Sequence, residues 1–77
     1  MSESKIEVLA DILHKDNIVE FFHKDFYYEI FTSADNGFVV NLYTSDERDE
    51  DEELIEANMI DGGLCSGSQK DAIGFML

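Results

Sequence analysis

Phe26-Tyr27-Tyr28-Glu29-Ile30-Phe31-Thr32-Ser33-Ala34-Asp35-Asn36-Gly37-Phe38-Val39-Val40-Asn41-Leu42-Tyr43 is the stretch that decides the fold. Two runs rich in aromatic and β-branched residues flank Asp35-Asn36-Gly37, the composition of a β-hairpin and its turn. A two-residue turn at Asn36-Gly37 would pair Phe31 with Leu42 and mix polar with apolar groups on both faces. A three-residue loop, Asp35 to Gly37, pairs Ala34 with Phe38, Thr32 with Val40 and Ile30 with Leu42. Tyr28, Ile30, Ala34, Phe38, Val40 and Leu42 then share one face. Register follows burial, so the three-residue loop is preferred, with Gly37 left-handed in a bulge.

Outward from the hairpin, Ile18 to Phe22 reads as a preceding strand. A turn at Lys24-Asp25 sets Val19 and Phe21 on the same core face. Before it, Ile6, Val8, Leu9, Ile12 and Leu13 recur at helical spacing. Ser4 with Glu7 forms a capping-box pattern, and the helix is predicted over residues 5–15, ending at Asp16 and Asn17. Toward the C-terminus, Leu54–Ile60 favours helix, with Ser45 before an acidic first turn and Gly62 as its stop; a short fourth strand is the alternative. After Asp61-Gly62-Gly63 a Gly/Ser loop is expected. Ser68 then caps a short C-terminal helix, with Asp71 three residues on and Ala72, Ile73, Phe75 and Met76 on its apolar side. The chain is therefore expected to form one α+β domain over residues 1–77. It has a small antiparallel sheet of three to four strands, flanked by an N-terminal helix and a short C-terminal one.

The other sheet face presents Phe22, Tyr27, Phe31, Val39 and Tyr43. That is more apolar surface than scatter explains, so either the last segment or another chain should cover it. Phe22, Tyr27, Phe31 and Tyr43 are the residues expected to mediate self-association as a homodimer.

Charge sets the function classes. The 77 residues hold 18 acidic and 5 basic side chains, a formal charge of −13. Self-repulsion at this density is a standing cost to folding, which favours a functional use of the charge. Nucleic acid and anionic membranes require cations; Lys5, Lys15, Lys24, Arg48 and Lys70 are scattered and outnumbered, so both are excluded as direct ligands. No signal-peptide pattern and no apolar run of about 20 residues occurs. Cys65, the single cysteine, cannot form an internal disulfide. These features are consistent with a cytoplasmic location.

Tests for chemistry fail. The Gly62–Ser68 stretch lacks the Gly-Lys-Ser/Thr of a P-loop. Gly63-Leu64-Cys65-Ser66-Gly67 has the form of a nucleophile elbow, which belongs on a larger parallel sheet. A phosphatase loop would need Arg where Asp71 stands. Residues 46–57 lack the central Gly of an EF-hand, and His14, His23 and Cys65 lack zinc spacing. No cofactor, no metal site and no catalytic residue is therefore expected.

Asp46, Glu47, Asp49, Glu50, Asp51, Glu52 and Glu53 put seven carboxylates into eight positions, with Glu56 and Asp61 close behind. In an extended segment, alternate carboxylates would lie roughly 6.6 Å apart, comparable with successive phosphates. Asp46 to Glu53 and Glu56 are the expected partner-binding residues, and the expected partner is a basic protein, such as a nucleic-acid-binding effector. In size, charge and mixed fold the chain resembles the small acidic anti-defence proteins of phages and mobile elements, including anti-CRISPR and anti-restriction inhibitors. Asp46 to Glu53, Glu56 and Asp61 carry that resemblance, which implies an inhibitor that mimics nucleic acid. An antitoxin or nuclease-immunity protein would use the same acids, and a small structural dimer would use the aromatic face instead.

Overall fold

A computed structural model describes residues 1–35, 37–75 and 77. The elements in chain order are α1 (Glu3–Asp16), β1 (Ile18–His23), β2 (Phe26–Thr32), β3 (Phe38–Tyr43), β4 (Met59–Cys65) and α2 (Gln69–Gly74), with a 3₁₀ turn at Glu56–Asn58 before β4. The strands form one antiparallel sheet in the order β1-β2-β3-β4. The fold is α+β, as the sequence implies.

α1 begins two residues before the expected position. Ser2, not Ser4, is the N-cap, and its hydroxyl accepts the Lys5 amide. The Ser4–Glu7 capping box does not form, because both residues already lie inside the helix. Asn17 closes α1 in the left-handed region (φ 62°), its amide donating to the Leu13 carbonyl. One residue thus turns the helix directly into β1, as expected for an Asn in this position. Leu9, Ala10 and Leu13 face the core.

β1 and β2 meet at the two-residue turn Lys24-Asp25, with His23 opposite Phe26 and Lys24 at φ 49°. The central hairpin differs from the expected register by two residues. Thr32 pairs with Phe38, Ile30 with Val40 and Tyr28 with Leu42. The connection is a five-residue loop, 33–37, closed by the Ser33 amide on the Gly37 carbonyl and the Gly37 amide on Ser33 Oγ. A shift of two preserves strand parity, so Tyr28, Ile30, Phe38, Val40 and Leu42 stay in the core, whereas Ala34, expected beside them opposite Phe38, lies exposed in the loop, and the three-residue loop does not form. Gly37 is not left-handed and forms no bulge; a side chain there would approach the Cys65 carbonyl to 2.9 Å. Asn36 lies outside the described residues.

The largest departure is β4. Leu54–Ile60 is not a helix and Gly62 is not a helix stop; the fourth strand given as the alternative does form, but over Met59–Cys65, taking in Gly62-Gly63 and the start of the expected Gly/Ser loop. Both glycines sit inside a strand paired with β3: Val40 faces Gly63 and Asn41 faces Gly62. The pairing shifts between Leu42 and Tyr43, which face Asp61 and Met59, so Ile60 is the extra residue of a bulge. As an outer strand β4 buries little, and only Cys65 is fully inside.

α2 follows with the expected capping box: Ser68 Oγ accepts the Asp71 amide, and the Asp71 carboxylate accepts the Ser68 amide. Ala72 and Ile73 are buried; Phe75 is exposed, and Met76 lies outside the described residues. Both helices pack against one another and on the same sheet face, joined by Lys70, which reaches Glu3 at 3.2 Å and Glu7 at 3.3 Å. The core lies between: Leu9, Leu13, Val19, Phe21, Tyr28, Ile30, Phe38, Val40, Leu42, Cys65 and Ile73 form one cluster. No helix among the described residues is long and apolar enough to cross a membrane.

Candidate functional site

The face turned away from the helices is not simply aromatic. Alternation along β1, β2 and β3 brings Glu20, Glu29 and Asn41 into one row across its centre, with Glu20 directly opposite Glu29. Two carboxylates facing across a ladder repel, and donors from three elements offset this. Tyr27 donates its hydroxyl to Glu20 at 2.6 Å, and Arg48 forms an ion pair with the same oxygen. Asn41 Nδ2 and the Tyr43 hydroxyl donate to Glu29 at 3.1 and 3.2 Å. The phenols pay for this company in their acidity. Burial, reinforced by Glu20 and opposed by Arg48, pushes Tyr27 up to about 12. Burial and the Glu29 charge raise Tyr43 as well.

The acidic segment folds over this row. It is not extended, so the phosphate-like spacing of alternate carboxylates is not present. Arg48 bridges Leu54, the Ile55 amide reaches the Glu47 carbonyl, and the chain reverses between Asp49 and Glu53. Asp49 organises the reversal: its Oδ1 accepts the amides of Asp51 at 2.9 Å and Glu53 at 3.1 Å. This is the Asx-type self-capping that short acids perform in turns. Glu52 completes it in the left-handed region at φ 62°. Arg48, the single cation of the run, turns inward, giving one hydrogen bond to the Glu52 carbonyl and the ion pair to Glu20.

Between this acidic hairpin and the sheet lies a cleft of about 330 Å³. Glu20, Glu29, Glu52 and Glu53 line it against the single guanidinium of Arg48, with Tyr43, Ile18 and Leu54 as its remaining walls. It is open and negative, suited to a cationic side chain.

Of the expected partner-binding residues, Asp46, Glu47, Asp49, Glu50, Asp51, Glu52, Glu53 and Glu56 are all exposed. The hairpin brings Glu52 and Glu53 to the cleft, and Glu56 stands apart on the 3₁₀ turn. Asp49 is committed to the turn. Among the four expected self-association residues, Phe22 is exposed at 55% and Tyr27 and Phe31 are half-buried, whereas Tyr43 is buried at 6%. The cover over this face is the acidic hairpin; α2 lies on the opposite side with α1. Glu20, Glu29, Tyr43 and Arg48 were not legible as a group. Their only sequence signals are two carboxylates inside apolar strands and one cation inside an acidic run.

Cys65 is a free thiol, buried at the end of β4. Among the described residues no group of three or more His, Cys, Asp or Glu side chains is placed to hold a metal ion. No family model matches the chain, and neither a curated protein nor a solved structure was found to match it.

Proposed function

We propose that this protein is an acidic binding protein whose hairpin 46–53 occupies a basic surface on a partner protein. The observation that carries this reading is where the hairpin's charges go. Its seven carboxylates are exposed, and among the described residues none is held in an ion pair. The other cation–carboxylate pairs are on the helices, and Arg48 is spent on Glu20. The fold thus supports a fixed, unneutralised negative surface. Such a surface speeds encounter with a basic partner and selects against acidic ones. The partner class that fits is a protein whose cationic groove holds nucleic acid; a domain seated there would exclude the nucleic acid and inhibit. Nucleic-acid-binding effectors, the targets that the resemblance to anti-CRISPR and anti-restriction inhibitors implies, are the members of that class to test first.

The experiment compares wild type with the triple variant Glu50→Gln, Asp51→Asn, Glu53→Gln, which leaves Asp49 and the turn intact. Partners retained by wild-type bait should be lost in about 1 M salt, where the Debye length falls to about 3 Å. The variant should associate more slowly with the recovered partner and dissociate at nearly the wild-type rate. Unchanged association kinetics would rule the reading out.

A further inference from the structure

We infer that the free edge of β4 is a self-complementary surface that pairs with β4 of a second copy, joining two sheets about a two-fold axis at Gly62. The argument begins with which backbone groups are free. The Ser33 amide bonds the Gly37 carbonyl, so residues 33 and 37 are a hydrogen-bonded pair of the β2–β3 ladder. Alternation then turns the Val39 and Asn41 amides toward β2, and those of Phe38, Val40 and Leu42 toward β4. Their partners Cys65, Gly63 and Asp61 are engaged. Gly62 and Leu64 therefore direct their amides and carbonyls away from the sheet, at an edge beside which no further strand stands among the described residues. An edge of this kind accepts a further strand.

The side chains select the occupant. Antiparallel pairing centred on Gly62 exchanges backbone hydrogen bonds between the two Gly62 residues. It sets Ile60 opposite the second copy's Leu64 on both sides of the axis. Ile60 and Leu64 are among the most exposed large apolar residues, at 50% and 75%. It also sets Asp61 opposite Gly63 of the other copy, so no carboxylate directly faces another. Moving the axis to Gly63 would leave Ile60 unpaired and put Leu64 against glycine. The strand Met59–Cys65 carries one charged residue, Asp61, in a chain of −13, so two copies of this edge meet with little charge between them. Burial of apolar pairs fixes register, and an interface that repeats itself about an axis is isologous and closed.

Two features hold the association weak. The Gly62 amide donates to Asp61 Oδ1 at 2.8 Å and must be released. The two Asp61 carboxylates also lie diagonally across the axis, within reach of repulsion.

Sedimentation of a concentration series up to millimolar, at low and at about 1 M salt, tests the inference. Wild type should show a reversible dimer whose association constant rises several-fold with salt. Leu64→Glu, at an exposed position, should remove it. Asp61→Asn, which keeps the oxygen that caps Gly62, should strengthen it several-fold. Phe22→Glu, on the aromatic face, should leave it unchanged. Amide exchange at Gly62 and Leu64 should slow as wild-type concentration rises, a readout that needs no variant. A monomer throughout, a dimer undisturbed by Leu64→Glu, or one abolished by Phe22→Glu would overturn the inference.

Discussion

Asp49 separates charge from architecture within the acidic hairpin. Its Oδ1 accepts two backbone amides, from Asp51 and Glu53. Asp49→Ala removes both bonds; Asp49→Asn removes the charge and keeps an acceptor. A hydrogen bond contributes about 0.5–1.5 kcal/mol net. This turn is exposed, so the lower half of that range applies, and two bonds together are worth about 1–2 kcal/mol. The hairpin contributes nothing to the buried cluster beneath the helices, so the loss should appear as local opening rather than global unfolding. At about 1.4 kcal/mol per decade, native-state amide exchange at Asp51 and Glu53 should accelerate about 5- to 30-fold in Asp49→Ala. It should change little in Asp49→Asn, and amides of β2 and β3 should be unaffected in both. If Asp49→Ala leaves the exchange of Asp51 and Glu53 unaltered, the carboxylate does not hold the turn. The separation of a structural acid from six partner-facing ones then fails.

The core makes a sharper demand. Ile30 and Val40 are opposite one another and fully buried, and Ile30→Ala should lower the unfolding free energy by about 2–5 kcal/mol, read as a drop in urea midpoint at constant slope. Salt should act in the other direction: with a formal charge of −13, the wild-type urea midpoint should rise with sodium chloride, and a flat or falling midpoint would contradict the role of self-repulsion. Alkali supplies a third measurement. Tyr27, Tyr28 and Tyr43 are all raised, by burial first, while unfolded tyrosine titrates near 10. The folded state then holds its phenolic protons longer, so stability is fully present below about 10 and declines between there and the folded values. Phenolate absorbance of the native chain should therefore lag behind that of the urea-unfolded chain, and coincident curves would refute it.

How much of this was legible follows from where burial constrains the chain. Val19, Phe21, Tyr28, Ile30, Val40 and Leu42 were assigned to one face and lie there, because parity along a strand survives a register error of two. The loop length did not survive, since Thr32 and Ala34 are interchangeable at the mouth of the hairpin and neither is buried. β4 stood only as the alternative to a helix, and a few residues too early, because an edge strand with Gly62-Gly63 at its centre has no alternation to read and the same glycines mimic a helix stop. The Ser2 cap is hidden because the pattern of Ser with Glu three residues on occurs two residues later, at Ser4 and Glu7. Within the candidate site, the acids 46–53 were evident from composition. The Glu20–Glu29 row needed the register of both hairpins, and the inward turn of Arg48 needed the hairpin itself.

The contact of Lys70 with Glu3 and Glu7 has a practical consequence. It ties the beginning of α1 to the beginning of α2, so both helices start side by side on the face of the sheet opposite the one that carries the acids. A tag, a surface anchor or a fused reporter at either end would leave the hairpin pointing away from its attachment.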